Sequence, residues 1–299
     1  TGIGAPGQTA GGSLTNPPQS AQISGSLSEQ PSQAPLFTVE SPVNTYWRQT
    51  AYETYTGTGW QQAEAPTPLD EGIPNDDRTG GNRRITYDVT LLEGGRSLPT
   101  AWQPESVSFR GDGSQPALQT SATGGIQADE SLPAETTYTA TSALPPRQPS
   151  VLRNAEGQTP REIRETYTRM PGDTPDRVGD FTGELLAGTD TRYDRAMTVQ
   201  RWLTSNKGYS LNTSLDPSQP IADQLIFEVD AAYCQQFATT MAAMLRSQGV
   251  PARYVVGFRK GRPVGDDTYL VTSDRGHAWV EVYFPDVGWV RFDPTPADE

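Results

Sequence analysis

The 299-residue sequence contains one cysteine, Cys234, and one histidine, His277. These are its natural pair for nucleophilic chemistry, a thiol that attacks once deprotonated and an imidazole that takes and returns the proton. Cys234 falls in the first turn of a segment, residues 232–247, where the spacing of Phe237, Met241, Met244 and Leu245 predicts a helix with Gly249 beyond its end. Free N–H groups and the macrodipole at a helix start favour an anion, and so favour the thiolate of a cysteine placed there. The same spacing puts Cys234 on the apolar face, where an inert core cysteine would also sit, so position alone leaves both readings open. His277 opens a predicted strand, with Trp279, Glu281 and Tyr283 on its face and Ala278, Val280, Val282 and Phe284 on the other. Pro285 to Gly288 reads as a hairpin loop, and the returning strand brings Asp293 near His277, with a register fixed only to a residue or two. A carboxylate there would accept the imidazole N–H and hold the ring. Read alone, Asp293-Pro294 is also what ends a strand in a turn.

The elements that must position these residues divide the chain in three. Residues 1–33 are rich in Gly, Ser, Gln, Thr and Pro and are expected to form a disordered tail or linker. Residues 34–149 carry short β-branched and aromatic runs between Gly, Pro and Asp, as in 84–91, 106–109 and 136–140, and predict a β-rich domain. Residues 150–299 change period: helices are predicted over 161–169, 177–186, 192–205 and 232–247, and strands over 252–258, 268–272, 277–284 and 289–293.

Composition excludes several functions. One cysteine forbids an internal disulfide, and a Cys/His zinc site lacks ligands. With 36 acidic against 23 basic residues the net charge is −13, which would repel nucleic acid. Two cations are lysines, Lys207 and Lys260, a balance that suits a halophilic surface. No Gly-rich phosphate loop precedes a helix, and no cofactor is expected. No leader or apolar run of membrane length is present, so a membrane-anchored parent would have this as its water-soluble part. Asp266-Asp267 and the acidic stretch from Asp70 to Asp77 lack the spacing of a calcium loop and read as solvated loops. Trp60 and Trp102 could offer a carbohydrate or peptide face, but aromatics in β-rich segments usually pack in the core.

Four segments resemble the transglutaminase-like superfamily: Tyr233-Cys234-Gln235-Gln236-Phe237-Ala238, residues 245–253, His277-Ala278-Trp279-Val280-Glu281-Val282, and residues 288–295. Outer motifs at Tyr193-Asp194-Arg195-Ala196, Trp202-Leu203, Tyr209-Ser210-Leu211, Tyr46-Trp47-Arg48 and residues 55–60 are similar to the extracytoplasmic portion of membrane-anchored bacterial and archaeal transglutaminase-like proteins. The resemblance implies an α+β fold, a papain-like core of helices packed on an antiparallel sheet, preceded by the β-rich domain. It implies Cys234 as nucleophile, His277 as general base and acid, and Asp293 as the residue orienting the imidazole. The implied reaction is acyl transfer from a carboxamide, typically the glutamine γ-amide of a protein or peptide substrate, through a Cys thioester on the outer face of the membrane. Hydrolysis by the same triad, as a peptidase or deamidase, and a non-catalytic binding module are the alternatives. The Cys234 N–H is the first expected oxyanion donor, with Trp202 and Tyr209 as candidates for the second. One departure is Ala232, where the family commonly has Gly; a methyl group would be costly there if the position required positive φ.

Overall fold

The computed structural model describes residues 12–23, 32–69, 73, 83–111 and 115–296. It is a mixed α and β structure, with many antiparallel strands preceding the helical core region. A six-stranded antiparallel sheet runs in the order Arg262–Gly265, Thr268–Thr272, Pro35–Glu40, Arg83–Leu91, Thr137–Leu144, Pro104–Phe109. A four-stranded antiparallel sheet runs Gly288–Phe292, Gly276–Phe284, Ala252–Phe258, Trp47–Tyr52.

Each sheet takes strands from both halves of the sequence. Trp47–Tyr52, from the β-rich half, pairs with Ala252–Phe258. The hairpin of Arg262–Gly265 and Thr268–Thr272, from the C-terminal half, joins the six-stranded sheet through Pro35–Glu40. The boundary expected near residue 149 marks where helices begin, with a short helix at Pro149–Arg153, while main-chain pairing crosses between the halves.

The Cys234–Ser247 helix is buried on almost every side: Phe237, Ala238, Met241, Ala242, Ala243, Met244 and Leu245 have no exposed surface. A helix apolar nearly all round belongs in an interior. Its core partners include Ala278, Val280, Val282 and Phe284 from the Gly276–Phe284 strand and Leu225 and Ile226 from the Ile221–Phe227 helix. Gly249, at φ 70°, ends it in a Schellman motif: Gly249 N–H donates to Arg246 O and Val250 N–H to Leu245 O. Arg246 is buried on this helix, and burial brings its guanidinium down to about 9. It compensates by donating to the carbonyls of Ala252 (2.8 Å) and Glu53 (2.7 Å), tying the helix to both halves of the chain.

The tail expected over residues 1–33 is partly ordered. Leu14 and Ile23 are buried, and Ser20–Gln22 pairs with Gly59–Gln61. Two apolar anchors and one short ladder hold this polar segment against surfaces formed by the rest of the fold, which its composition does not reveal. Residues 1–11 and 24–31 lie outside the described residues, as does the stretch from Asp70 to Asp77 except Ile73.

Candidate active site

Cys234 is the first residue of its helix, two later than the start expected at Ala232, with extended Tyr233 as the cap. The start is fixed by Gln236, whose Oε1 accepts the Tyr233 N–H at 3.2 Å while its Nε2 donates to Thr213 Oγ1 at 3.2 Å. By helix geometry the Cys234 N–H has no intrahelical acceptor and is free to face a developing oxyanion.

His277 is the second residue of the Gly276–Phe284 strand and pairs with Gly257. A Cβ on Gly257 would stand 2.2 Å from Trp47 O and 2.9 Å from a Trp279 ring carbon, so glycine there lets the strands close beside the imidazole. The returning strand is in register Val280 with Phe292 and Phe284 with Gly288. Asp293 follows it directly, and its Oδ2 lies 2.8 Å from His277 Nε2. The other side of the imidazole meets Cys234, whose side chain is hydrogen-bonded to it. With Nε2 engaged by Asp293, Nδ1 is the nitrogen left for the sulfur. Sulfur, imidazole and carboxylate thus form a connected row, with Cys234 7% and His277 8% exposed.

The electrostatics follow from these contacts. Burial is the largest influence on His277 and works against its charge, but Asp293, by charge and hydrogen bond, and then Cys234 outweigh it and raise the imidazole to about 9. For Asp293, burial pushes upward and is outweighed by His277, the Tyr46 hydroxyl and the Thr295 N–H, leaving the carboxyl at about 2. His277 therefore carries its proton through neutral pH, facing an ionised Asp293.

Two supports of this row were not assigned roles from sequence. The Tyr46 hydroxyl donates to Asp293 Oδ2 at 2.8 Å, the oxygen that also meets His277. Burial, then the charge of Asp293 and its hydrogen bond, raise the Tyr46 phenol, keeping it a neutral donor. Its ring stands edge-on to Trp279 at 5.3 Å, and Arg291 stacks over it at 3.6 Å. Two residues on, Arg48 meets Glu281 at 3.3 Å, and Arg253 meets the other oxygen of Glu281 at 2.8 Å, all three buried. Trp102 lies under both guanidinium groups, 4.3 and 4.7 Å from its ring centroid. The signal available in sequence was the Tyr46-Trp47-Arg48 motif; what it touches became visible only when the Trp47–Tyr52 strand entered the four-stranded sheet.

The remaining expected residues resolve individually. Ala232 is buried in the core and is not among the positive-φ residues, so its methyl group packs without backbone strain. Trp202 is half-buried, packing edge-on against Phe181 at 5.0 Å on the flank of the core. Tyr209 pairs in parallel with Ala232, which places it beside the segment entering Cys234. Trp60 is fully buried, stacks on Tyr254 at 5.4 Å and donates to Thr239 Oγ1 at 3.0 Å, a core role. Asp266 and Asp267 form the tip of an exposed hairpin. Among the described residues no group of three or more His, Cys, Asp or Glu side chains is placed to hold a metal ion, and no helix is long and apolar enough to cross a membrane.

Comparison with known proteins bears on the family and the fold. Residues 179–294 match the transglutaminase-like superfamily and residues 2–149 match the TgpA N-terminal domain. The chain therefore carries a transglutaminase-like core domain behind a TgpA N-terminal domain. It is 29% identical to YebA of Bacillus subtilis over 292 residues, covering 87% of this chain and 38% of that protein. It is 40% identical over 102 residues to a protein-glutamine gamma-glutamyltransferase of Pseudomonas aeruginosa, covering 33% of this chain and 15% of that one. The chain thus spans well under half the length of these relatives. In fold it is similar to the crystal structure of the periplasmic domain of TgpA from Pseudomonas aeruginosa, with a TM-score of 0.66 at 20% identity over 88% of each chain. The ethylmercury-bound form of that domain gives a TM-score of 0.64 at 20% identity, over 88% of this chain and 90% of that one.

Proposed function

We propose that this protein is a thiol-dependent acyltransferase acting on the glutamine γ-carboxamide of a protein or peptide. The observation that carries the reading is the row in which Cys234 is hydrogen-bonded to His277 and His277 Nε2 stands 2.8 Å from Asp293 Oδ2. Nucleophile, base and orienting group are each within hydrogen-bond reach of the next. The similarity of part of the chain to a protein-glutamine gamma-glutamyltransferase supports the choice of amide.

In the first half-reaction the Cys234 thiolate attacks the carboxamide carbon, forming a C–S bond and an oxyanion facing the Cys234 N–H. His277, charged at neutral pH, gives its proton to the amide nitrogen. The C–N bond breaks, ammonia leaves, and a thioester and a neutral imidazole remain. In the second, the imidazole takes a proton from a primary amine as its nitrogen attacks the thioester carbon. The C–S bond breaks, and thiolate and imidazolium are restored. Asp293 stays ionised throughout and holds the ring. The likeness to a periplasmic domain supports an extracytoplasmic site of action.

The test is incubation with a glutamine donor peptide and a primary amine, followed by mass spectrometry. A conjugate heavier than the peptide by the amine less ammonia supports the transferase reading. Deamidated peptide or chain cleavage without conjugate replaces it with hydrolysis, and no product of any kind returns the protein to a binding role.

A further inference from the structure

A cavity of about 1130 Å³ lies where the β-rich half meets the four-stranded sheet. Its lining does not include Cys234, His277 or Asp293. Trp279 and Glu281 belong to the strand face opposite the one packed on the Cys234 helix, and both line the cavity. It therefore opens on the strand face that also carries His277, next to the thiol site but not lined by its three residues, with Tyr46 in the shared wall.

Its lining combines aromatic surfaces with cations. Tyr46, Trp102 and Trp279 with Pro145 and Pro146 make flat apolar walls, and Arg83, Arg147 and Arg291 supply cations. The Glu281 carboxylate in the lining is already held by Arg48 and Arg253, which leaves Asp286 as the other acid against these three arginines. In a chain of net charge −13 this is a local reversal of sign. Burial first, and then the neighbouring Arg147, bring Arg291 down to about 10, so the two guanidinium groups are near enough to oppose each other. An anion between them would relieve that opposition. The volume is somewhat above the roughly 300–1,000 Å³ usual for small-molecule sites, which suits an extended ligand. Aromatic and proline surfaces suit peptide backbone and side-chain stems.

We propose that this cavity binds a carboxylate-rich peptide segment, clamped by Arg83, Arg147 and Arg291 against the aromatic wall, at a site separate from Cys234. The proposal does not depend on the reaction assigned to the thiol.

The experiment is titration of the full chain with end-blocked hexaglutamate, hexaserine and inorganic phosphate, followed by tryptophan fluorescence and calorimetry at low and high salt. Arg83→Glu with Arg147→Glu is the informative variant, because both side chains are exposed and their replacement leaves the core intact. Hexaglutamate is expected to bind more tightly than hexaserine or phosphate, to weaken with salt, and to lose about tenfold or more in the double variant. Binding is expected to be unchanged in Cys234→Ala. Equal affinity of parent and double variant overturns the proposal, as does absence of hexaglutamate binding. Phosphate binding as tightly as the peptide, or loss of binding in Cys234→Ala, also overturns it.

Discussion

Replacing Tyr46 by Phe removes one oxygen and isolates the contribution of a residue that never touches the thiol. The lost bond is the 2.8 Å donation to Asp293 Oδ2. The ring and its contacts with Arg291 and Trp279 remain possible. A hydrogen bond to an ionised partner contributes about 1.5–3 kcal/mol, and Asp293 keeps the Thr295 N–H, at 3.1 Å, and His277. The carboxylate should therefore persist but sit less firmly and titrate at higher pH. If Asp293 serves His277 by holding the ring, loss of at least 1.5 kcal/mol of that restraint predicts a fall in kcat/KM of about tenfold. The fall should lie in kcat, since the lost hydroxyl acts on Asp293 and through it on the imidazole. The assays are amine incorporation and thermal unfolding across acid pH, where the loss of stability on acidification should begin at higher pH than in the parent. If both rate and acid profile stay within about twofold of the parent while Asp293→Ala is inactive, the coupling argued for Tyr46 is wrong.

Further outcomes follow from the same contacts. His277 is raised from 6.5 to about 9, so its pairing should stabilise the fold fully below pH 6.5 and lose that effect as pH rises through 9. Asp293 is lowered from 3.8 to about 2, so its share should be present above pH 3.8 and vanish as pH falls through 2. The stability difference between parent and His277→Ala, measured by denaturant unfolding, should therefore be widest between pH 4 and 6.5, by about 2–3 kcal/mol, and a flat difference would contradict the pairing. Glu281→Gln leaves Arg48 and Arg253 buried without their shared carboxylate, and should destabilise by about 3–5 kcal/mol; a loss below about 1 kcal/mol would mean the cluster is hydrated. Ala232→Gly restores the residue common in the family, yet it should lower stability by about 1 kcal/mol and leave the rate unchanged, because the position needs no positive φ. A rate gain would show that the methyl group obstructs the site.

Much of the site was legible because its elements are locally encoded. The alternation from His277 to Phe284 put Val280 and Val282 on one face and Trp279 and Glu281 on the other, as found, and the structure shows that the first of these faces meets the helix. Helix spacing placed Cys234 in a first turn, and the hairpin at Pro285 to Gly288 carried Asp293 to His277. What could not be read depends on distant pairing. Nothing in the local pattern of Trp47–Tyr52 says that it completes a sheet more than 200 residues away in sequence, and so the roles of Tyr46 and Arg48 stayed hidden. Leu14 and Ile23 were hidden for the same reason, since single apolar residues in a polar segment become anchors only when a cavity elsewhere receives them. The seven-residue Ile221–Phe227 helix, without a side-chain cap, gave too short a period to be recognised.

The most direct test of the Cys234–His277–Asp293 row is the rate of Cys234 alkylation by iodoacetamide as a function of pH, in the parent and in His277→Ala. Because the thiolate is the reacting form, the parent should react well below pH 8, and the variant should be slower there by about tenfold or more, converging with it only at alkaline pH. Superimposable profiles for the two proteins would contradict the account, since the imidazole would then have no hold on the sulfur it touches.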